Sequence, residues 1–360
     1  METSPLRRTR SLIPAFDRFL GVDWSGASGR QYSGIAVAEC PAGAGAPVLV
    51  QPPGKRWRRT DFVDWIAAQA GRGERLLVGI DCAFALPAPM AGALLGEGYS
   101  APALWAYIDG HCAEAEDFFG GPFARHQLHR SHFWHEGPRP ADFAELHRAT
   151  ETACRAAGLG APESPLKLVG ARQVGKGGLA GMRVLHALKV RLGGRFAVWP
   201  FDPLDNADIV CIELYPRLFM RMGGHGNAKV RTVEALDRCL AALGCQPSKL
   251  PILNIAAPLE GEVGAKRRVG GMLPPSPNQL KCGDSTPHAA AKVPPTSISR
   301  GEAMLRDVSP DPAQTLIDHE TDALVAAAGL RFIAGDPAVW KPKGMDALAM
   351  RAEGWIFGVK

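Results

Sequence analysis

Three short apolar runs in this chain stop on an acid: Phe19-Leu20-Gly21-Val22-Asp23, Val78-Gly79-Ile80-Asp81 and Val210-Cys211-Ile212-Glu213. A run that is apolar on both faces belongs in the middle of a sheet covered on both sides. An ionised carboxylate is costly to bury unless it is paired or binds a cation. A buried strand that ends on an acid therefore marks a candidate site. A fourth acidic stretch, Asp318-His319-Glu320-Thr321-Asp322, has helical rather than strand character. In it Asp318 and Asp322 lie four apart on one face, with His319 three before Asp322.

The order of elements fits an α/β sheet. Residues 19–23 read as a first strand, 31–40 as an alternating second and 46–51 as a third. A helix follows from Thr60-Asp61 through Ala70, and 75–81 is a fully apolar fourth strand. This order resembles the first half of a ribonuclease H-like sheet, which implies that strands one to three run antiparallel and strand four parallel to strand one. Further on, 182–192 and 229–243 have helical periodicity, 195–199 and 209–214 read as strands, 313–330 as a helix with a capping pair Thr315 and Asp318, and 353–359 as a closing strand. Helical patterns are also expected at 90–95 and 141–157.

Two stretches are too long for simple connections. Residues from about 90 to 195 read as an insertion that walls a cleft, and about 245–312 is a Pro/Gly-rich insertion with a basic cluster at Lys266-Arg267-Arg268. The organisation expected is a tail over 1–18 and one domain over 19–360. Within the first insertion His126, His129, Arg130, His132 and His135 crowd together. No helix or strand period puts three of these histidines on one side, so they read as loop residues facing solvent or substrate. The glycine-rich 167–181 lacks the phosphate-loop spacing and reads as a flexible loop carrying Lys176 and Gln173.

Composition sets bounds. Hydrophobic residues make up 46% and charged residues 21% of 360, as in ordinary globular proteins. A net charge of +5 permits a nucleic-acid partner without requiring one. The 8 cysteines form no C-x-x-C pair, which argues against a zinc ribbon and fits a reducing cytoplasm. No apolar run approaches the ~18 residues a membrane helix needs.

Taken together, GVDWSG (21–26), GIDCAFALP (79–87), IELYPRLF (212–219), DHETDALVAA (318–327) and EGWIFGV (353–359) resemble a family of bacterial proteins catalogued as domain-of-unknown-function family number 429. That family is similar to ribonuclease-H-like nucleases and is described as predicted nucleases. The resemblance implies a ribonuclease H-like fold and a site holding Mg2+ or Mn2+. Asp23 would be the metal-bridging acid of strand one. Asp81 takes the strand-four position, Glu213 the glutamate before Tyr-Pro, and Asp322 the helix acid with Asp318 beside it. Either Asp81 or Glu213 can serve as the second carboxylate, and Glu213 ranks ahead. Arg217, Lys176 and Gln173 are candidate substrate contacts. The activity expected is phosphodiester hydrolysis of nucleic acid. Two alternatives stand beside it. One is an actin- or sugar-kinase-like phosphotransferase using 23–29 as a phosphate-gripping turn. The other is a catalytically silent nucleic-acid-binding protein.

Overall fold

A computed structural model describes residues 14–29, 34–141, 143–170, 173–226, 228–246 and 316–360. The chain divides into two units, Met1–Ile255 with Pro312–Lys360 and Ala256–Asp311, and every described residue lies in the first. The insertion read at 245–312 therefore falls, from 247 to its end, outside the described residues, as do Thr315 and most of the N-terminal tail.

The fold is α/β, built on one six-stranded mixed sheet. The strands are β1 (Arg18–Asp23), β2 (Ala36–Pro41), β3 (Val48–Leu49), β4 (Leu76–Ile80), β5 (Phe196–Val198) and β6 (Ile209–Glu213), in the order β3-β2-β1-β4-β6-β5. β1 pairs antiparallel with β2 and β2 with β3, whereas β4 runs parallel to β1 and to β6. Every residue of β4 is buried, as its unbroken apolar run requires of a central strand. The helices are α1 (Arg59–Gln69), α2 (Ala88–Leu95), α3 (Ala101–His111), α4 (Gly121–Arg125), α5 (Ala149–Ala156), α6 (Gly175–Leu192), α7 (Pro216–Met222), α8 (Val233–Ala242), α9 (Asp318–Ile333) and α10 (Pro337–Trp340). Side chains of α7, α8 and α9 share one core with one face of the sheet, and those of α1, α3 and α6 share a second core with the other. Among the described residues no helix is long and apolar enough to cross a membrane.

α9 lies directly on β1 and β2. Its sequence allows this: Ala323, Ala326, Ala327, Ala328 and Gly329 present little side chain. On the sheet side the contact falls on Gly21, where a Cβ would sit 2.4 Å from both Ala323 O and Ala327 N. The glycine that interrupts the first apolar run is thus the point of closest approach between strand and helix.

Three local expectations need correction. The glycine-rich 167–181 is not a loop throughout: from Gly175 it is the first two turns of α6. Its glycines serve packing, since a Cβ on Gly181 would lie 2.3 Å from Cys82 Sγ. The helix expected from 141 begins only at Ala149, where the Arg148 N–H donates to Glu151 Oε2 at 2.6 Å and caps it. The closing segment is not a strand. A π-type turn over Ala349–Glu353 leads into a single bridge between Glu213 and Ile356. Gly354 and Gly358, at φ of +75° and +100°, interrupt the extended run.

Because the atoms facing Gly21 belong to backbone, Gly21→Ala has no side chain to push aside. We expect it to cost about 3 kcal/mol, at the upper end for overpacking, read as a lower urea midpoint with unchanged slope. A variant as stable as the parent chain would show that α9 does not rest on β1.

Candidate metal and active site

Strand alternation divides the four acids between the two faces of the sheet. Gly21 touches α9 and Asp23 is two residues on; Gly79 touches Leu330 of α9 and Asp81 is two residues on. Asp23 and Asp81 therefore face α9. The ladder continues to this point, with the Asp81 N–H donating to Val22 O at 2.9 Å. Glu213 follows Ile209 and Cys211, whose side chains belong to the opposite core, and it faces that way. Asp322 comes from the first turns of α9.

A cleft of about 580 Å3 opens at this edge of the sheet. Asp81, Glu213 and Asp322 line it, and so do Gln173, Lys176 and Arg217. One wall comes from the first insertion (Glu151, Ala161–Glu163, Gln173, Val174, Lys176 and Gly177), the other from the start of α7. Asp23 is buried beside it, 7% exposed. The expected substrate contacts thus do reach the cleft. Among the described residues Lys176 and Arg217 make no ion pair, so two uncompensated cations border the acids.

The carboxylates differ in how they are held. Glu213 is fully engaged. Its Oε1 accepts from Arg148 Nη2 at 2.5 Å, and its Oε2 accepts from Arg148 Nη1 at 2.8 Å and from the Phe84 N–H at 3.0 Å. The same guanidinium bonds Glu151 through Nε at 2.9 Å and through Nη2, and reaches Glu353 O at 3.0 Å. Burial pushes the Glu151 carboxyl up, against the opposing pull of Arg148. Glu213 thus belongs to a buried Arg148–Glu151 network on the far face. Asp81, by contrast, shares the α9 side with Asp23.

Asp23 Oδ2 is 2.6 Å from His319 Nδ1. Burial raises its carboxyl above the usual range despite that contact. The bond to Asp23 in turn raises the His319 imidazole. Lys229 Nζ donates to Asp322 Oδ2 at 2.6 Å, whereas Asp322 Oδ1 is buried without any hydrogen-bond partner. Burial pushes Asp322 up to about 6. Asp81 accepts no hydrogen bond from the described residues, and burial together with the charges of Asp23 and Asp322 lifts it well above an ordinary carboxylate. Asp318 stands apart: it pairs with Arg231 at 3.2 Å and does not line the cleft.

Asp23, Asp81 and Asp322 thus share the α9 side, with Asp81 unpaired and one Asp322 oxygen orphaned, although their oxygens are not gathered into a ready ligand set; oxygen is the donor type that Mg2+ or Mn2+ takes. Three residues that complete the site, Arg148, Lys229 and Glu151, carried no motif in the sequence. His319 did have a signal, its helical offset from Asp322.

The turn after Asp23 is fastened from beneath. Buried Arg59 donates through Nε and Nη2 to Ser25 O (2.9 and 2.7 Å), and through Nη2 to Ala27 O at 2.7 Å. Asp117 accepts from the N–H groups of Arg59 and Thr60 at the start of α1. Gly26 presses on the first turn of α6, where a Cβ would meet the Lys176 backbone at 2.0 Å. Of the crowded histidines one departs from the solvent-facing expectation: His129 is fully buried and stacks on Phe123 with ring centroids 4.1 Å apart, whereas His126 is exposed.

Comparison with protein-family models, curated proteins and solved structures finds no match to this chain.

Two stability outcomes follow, of opposite sign. Asp81→Asn removes an uncompensated charge, and its amide can donate to the neighbouring acids. It should raise the thermal midpoint of the metal-free protein by about 2–4 °C, the equivalent of about 1 kcal/mol. Arg148→Ala strands two buried carboxylates and should cost about 3–5 kcal/mol. Both are read by thermal and denaturant unfolding in chelator. A drop in midpoint for Asp81→Asn would mean that the carboxylate is compensated after all.

Proposed function

We propose that the chain is a metal-dependent nuclease with a ribonuclease H-like fold, belonging to the family that its motifs resemble, and that it hydrolyses phosphodiester bonds of nucleic acid. The observation that carries this reading is the placement of Asp23, Asp81 and Asp322 on the α9 side at one end of the sheet, near enough for the charges of Asp23 and Asp322 to raise Asp81, with Asp81 unpaired and Asp322 Oδ1 orphaned. The strand order supports it too: three antiparallel strands followed by a fourth parallel to the first.

In this reading Asp23, Asp81 and Asp322 hold Mg2+ or Mn2+. Such an ion lowers the pKa of a bound water and neutralises charge on the leaving oxygen. The chain's own residues do the rest. His319 and Lys229 fix the orientation of Asp23 and Asp322. The Arg148 network holds the end of β6 rigid beside them. Lys176, at the amino end of an 18-residue helix, and Arg217 offer positive charge to phosphates, where the helix dipole adds to the effect. Gln173 borders the same wall. A two-lobed phosphotransferase is less well supported, because the described residues contain one sheet and no second copy of it.

The test is cleavage of a panel of single- and double-stranded DNA and RNA in Mn2+ or Mg2+, with ATP hydrolysis measured in parallel. We expect cleavage that chelator abolishes. Asp81→Asn should lower it by more than the roughly 100-fold that outer-shell changes cost, and Lys176→Ala should weaken substrate binding more than turnover. Nucleotide hydrolysis without cleavage favours the phosphotransferase, and metal-independent binding without either favours a silent binding protein. Full activity in Asp81→Asn would overturn the site as drawn.

A further inference from the structure

We propose that His111, His126 and His129 form a binding site for a divalent transition-metal ion of the zinc class, separate in residues and in donor chemistry from the acidic cleft. His111 ends α3, His126 follows α4, and His129 lies in the turn after it. One ligating nitrogen from each can be chosen so that all three lie within 4.8 Å of one another. Among the described residues this is the one group of three or more His, Cys, Asp or Glu side chains with donor atoms gathered in this way.

Ring spacing agrees with ligation. The centroids are 5.2 Å apart for His111 and His126, 4.8 Å for His111 and His129, and 5.0 Å for His126 and His129. Three imidazoles on one tetrahedral ion at about 2.0–2.1 Å per nitrogen hold their centroids about 5 Å apart. The rings are also splayed, at 80°, 67° and 36° to one another, rather than stacked in parallel.

The hydrogen bonds leave one nitrogen free to ligate on each of two rings. His111 Nδ1 is 2.9 Å from Tyr107 O, and His129 Nδ1 is 3.0 Å from Phe123 O. A carbonyl only accepts, so both Nδ1 atoms carry the proton and both Nε2 atoms keep a lone pair. A backbone carbonyl on the far nitrogen is the usual second contact of a metal-bound histidine, fixing its tautomer and ring orientation. The Tyr107 hydroxyl, 3.1 Å from His129 Nε2, donates to that lone pair in the metal-free chain and turns away when an ion takes it. His126 is exposed, and its Nδ1 accepts only a long contact of 3.4 Å from the Leu128 N–H. A solvent-facing imidazole changes tautomer freely, so either of its nitrogens can meet the ion. Three neutral nitrogens suit zinc, cobalt or nickel, whereas magnesium prefers oxygen. The ion would staple the turn after α4 to the end of α3 and leave its fourth position to solvent on the His126 side.

The full chain can be titrated with Co2+ as a spectroscopic probe, with Zn2+ in competition and bound metal counted after dialysis. We expect one ion per chain, a visible d–d absorption of tetrahedral character that Zn2+ abolishes, and a higher thermal midpoint with Zn2+. His126→Ala and His126→Gln, both at an exposed position, should unfold like the parent in chelator, yet weaken Co2+ binding at least roughly tenfold and lose the band. His132→Ala and Asp81→Asn should keep it, which separates this site from incidental surface histidines and from the acidic cleft. No tetrahedral band in the parent chain, or a band that survives both His126 substitutions, would overturn the proposal.

Discussion

The cost of placing carboxylates at the buried end of a parallel sheet governs this molecule. β1, β4 and β6 each deliver an acid to the same edge, and a helix adds another. Each acid must be compensated or remain ready for a cation. The chain resolves the problem differently on the two faces. On the α6 face, Glu213 and Glu151 share one buried guanidinium, and Arg148 ties β6, α5 and the turn at 349–353 together. On the α9 face the compensation is partial: a histidine for Asp23, an exposed-edge lysine for Asp322 and no hydrogen bond for Asp81. A fully compensated face stabilises; partly compensated, perturbed carboxylates are what functional sites commonly contain.

Rigidity around that edge has separate origins. The turn following Asp23 is bonded through its carbonyls to Arg59, whose own position depends on Asp117. Above it, the amino end of α6 packs on Gly26 so closely that no side chain fits. The helix that carries Lys176 to the cleft is therefore locked to the strand that carries Asp23. Lys176 and Asp23 are thus held in one frame with no hydrogen bond between them among the described residues.

Much of the architecture was legible from patterns whose physics is local. Unbroken apolar runs named the central strands, and the acids at their ends named the edge where a site would form. Errors arose where a residue's role is set by what it packs against. Glycine in 175–181 looks like loop composition, yet here it marks close approach to Cys82 and to the turn after Asp23. The closing apolar segment looks like a strand, yet two positive-φ glycines leave it a single bridge. The histidines between 126 and 135 looked periodless, because the third partner of the cluster, His111, lies on another helix.

By itself the sequence determined which segments are buried and which acids stand at strand ends, since hydrophobic periodicity is a property of neighbouring residues. Only the tertiary structure decided which acids face one another. Strand alternation and register send Glu213 to one side and Asp23 and Asp81 to the other. Arg148, Lys229 and His319 reach their carboxylates across separations of 65, 93 and 296 residues, and no local pattern encodes such pairings.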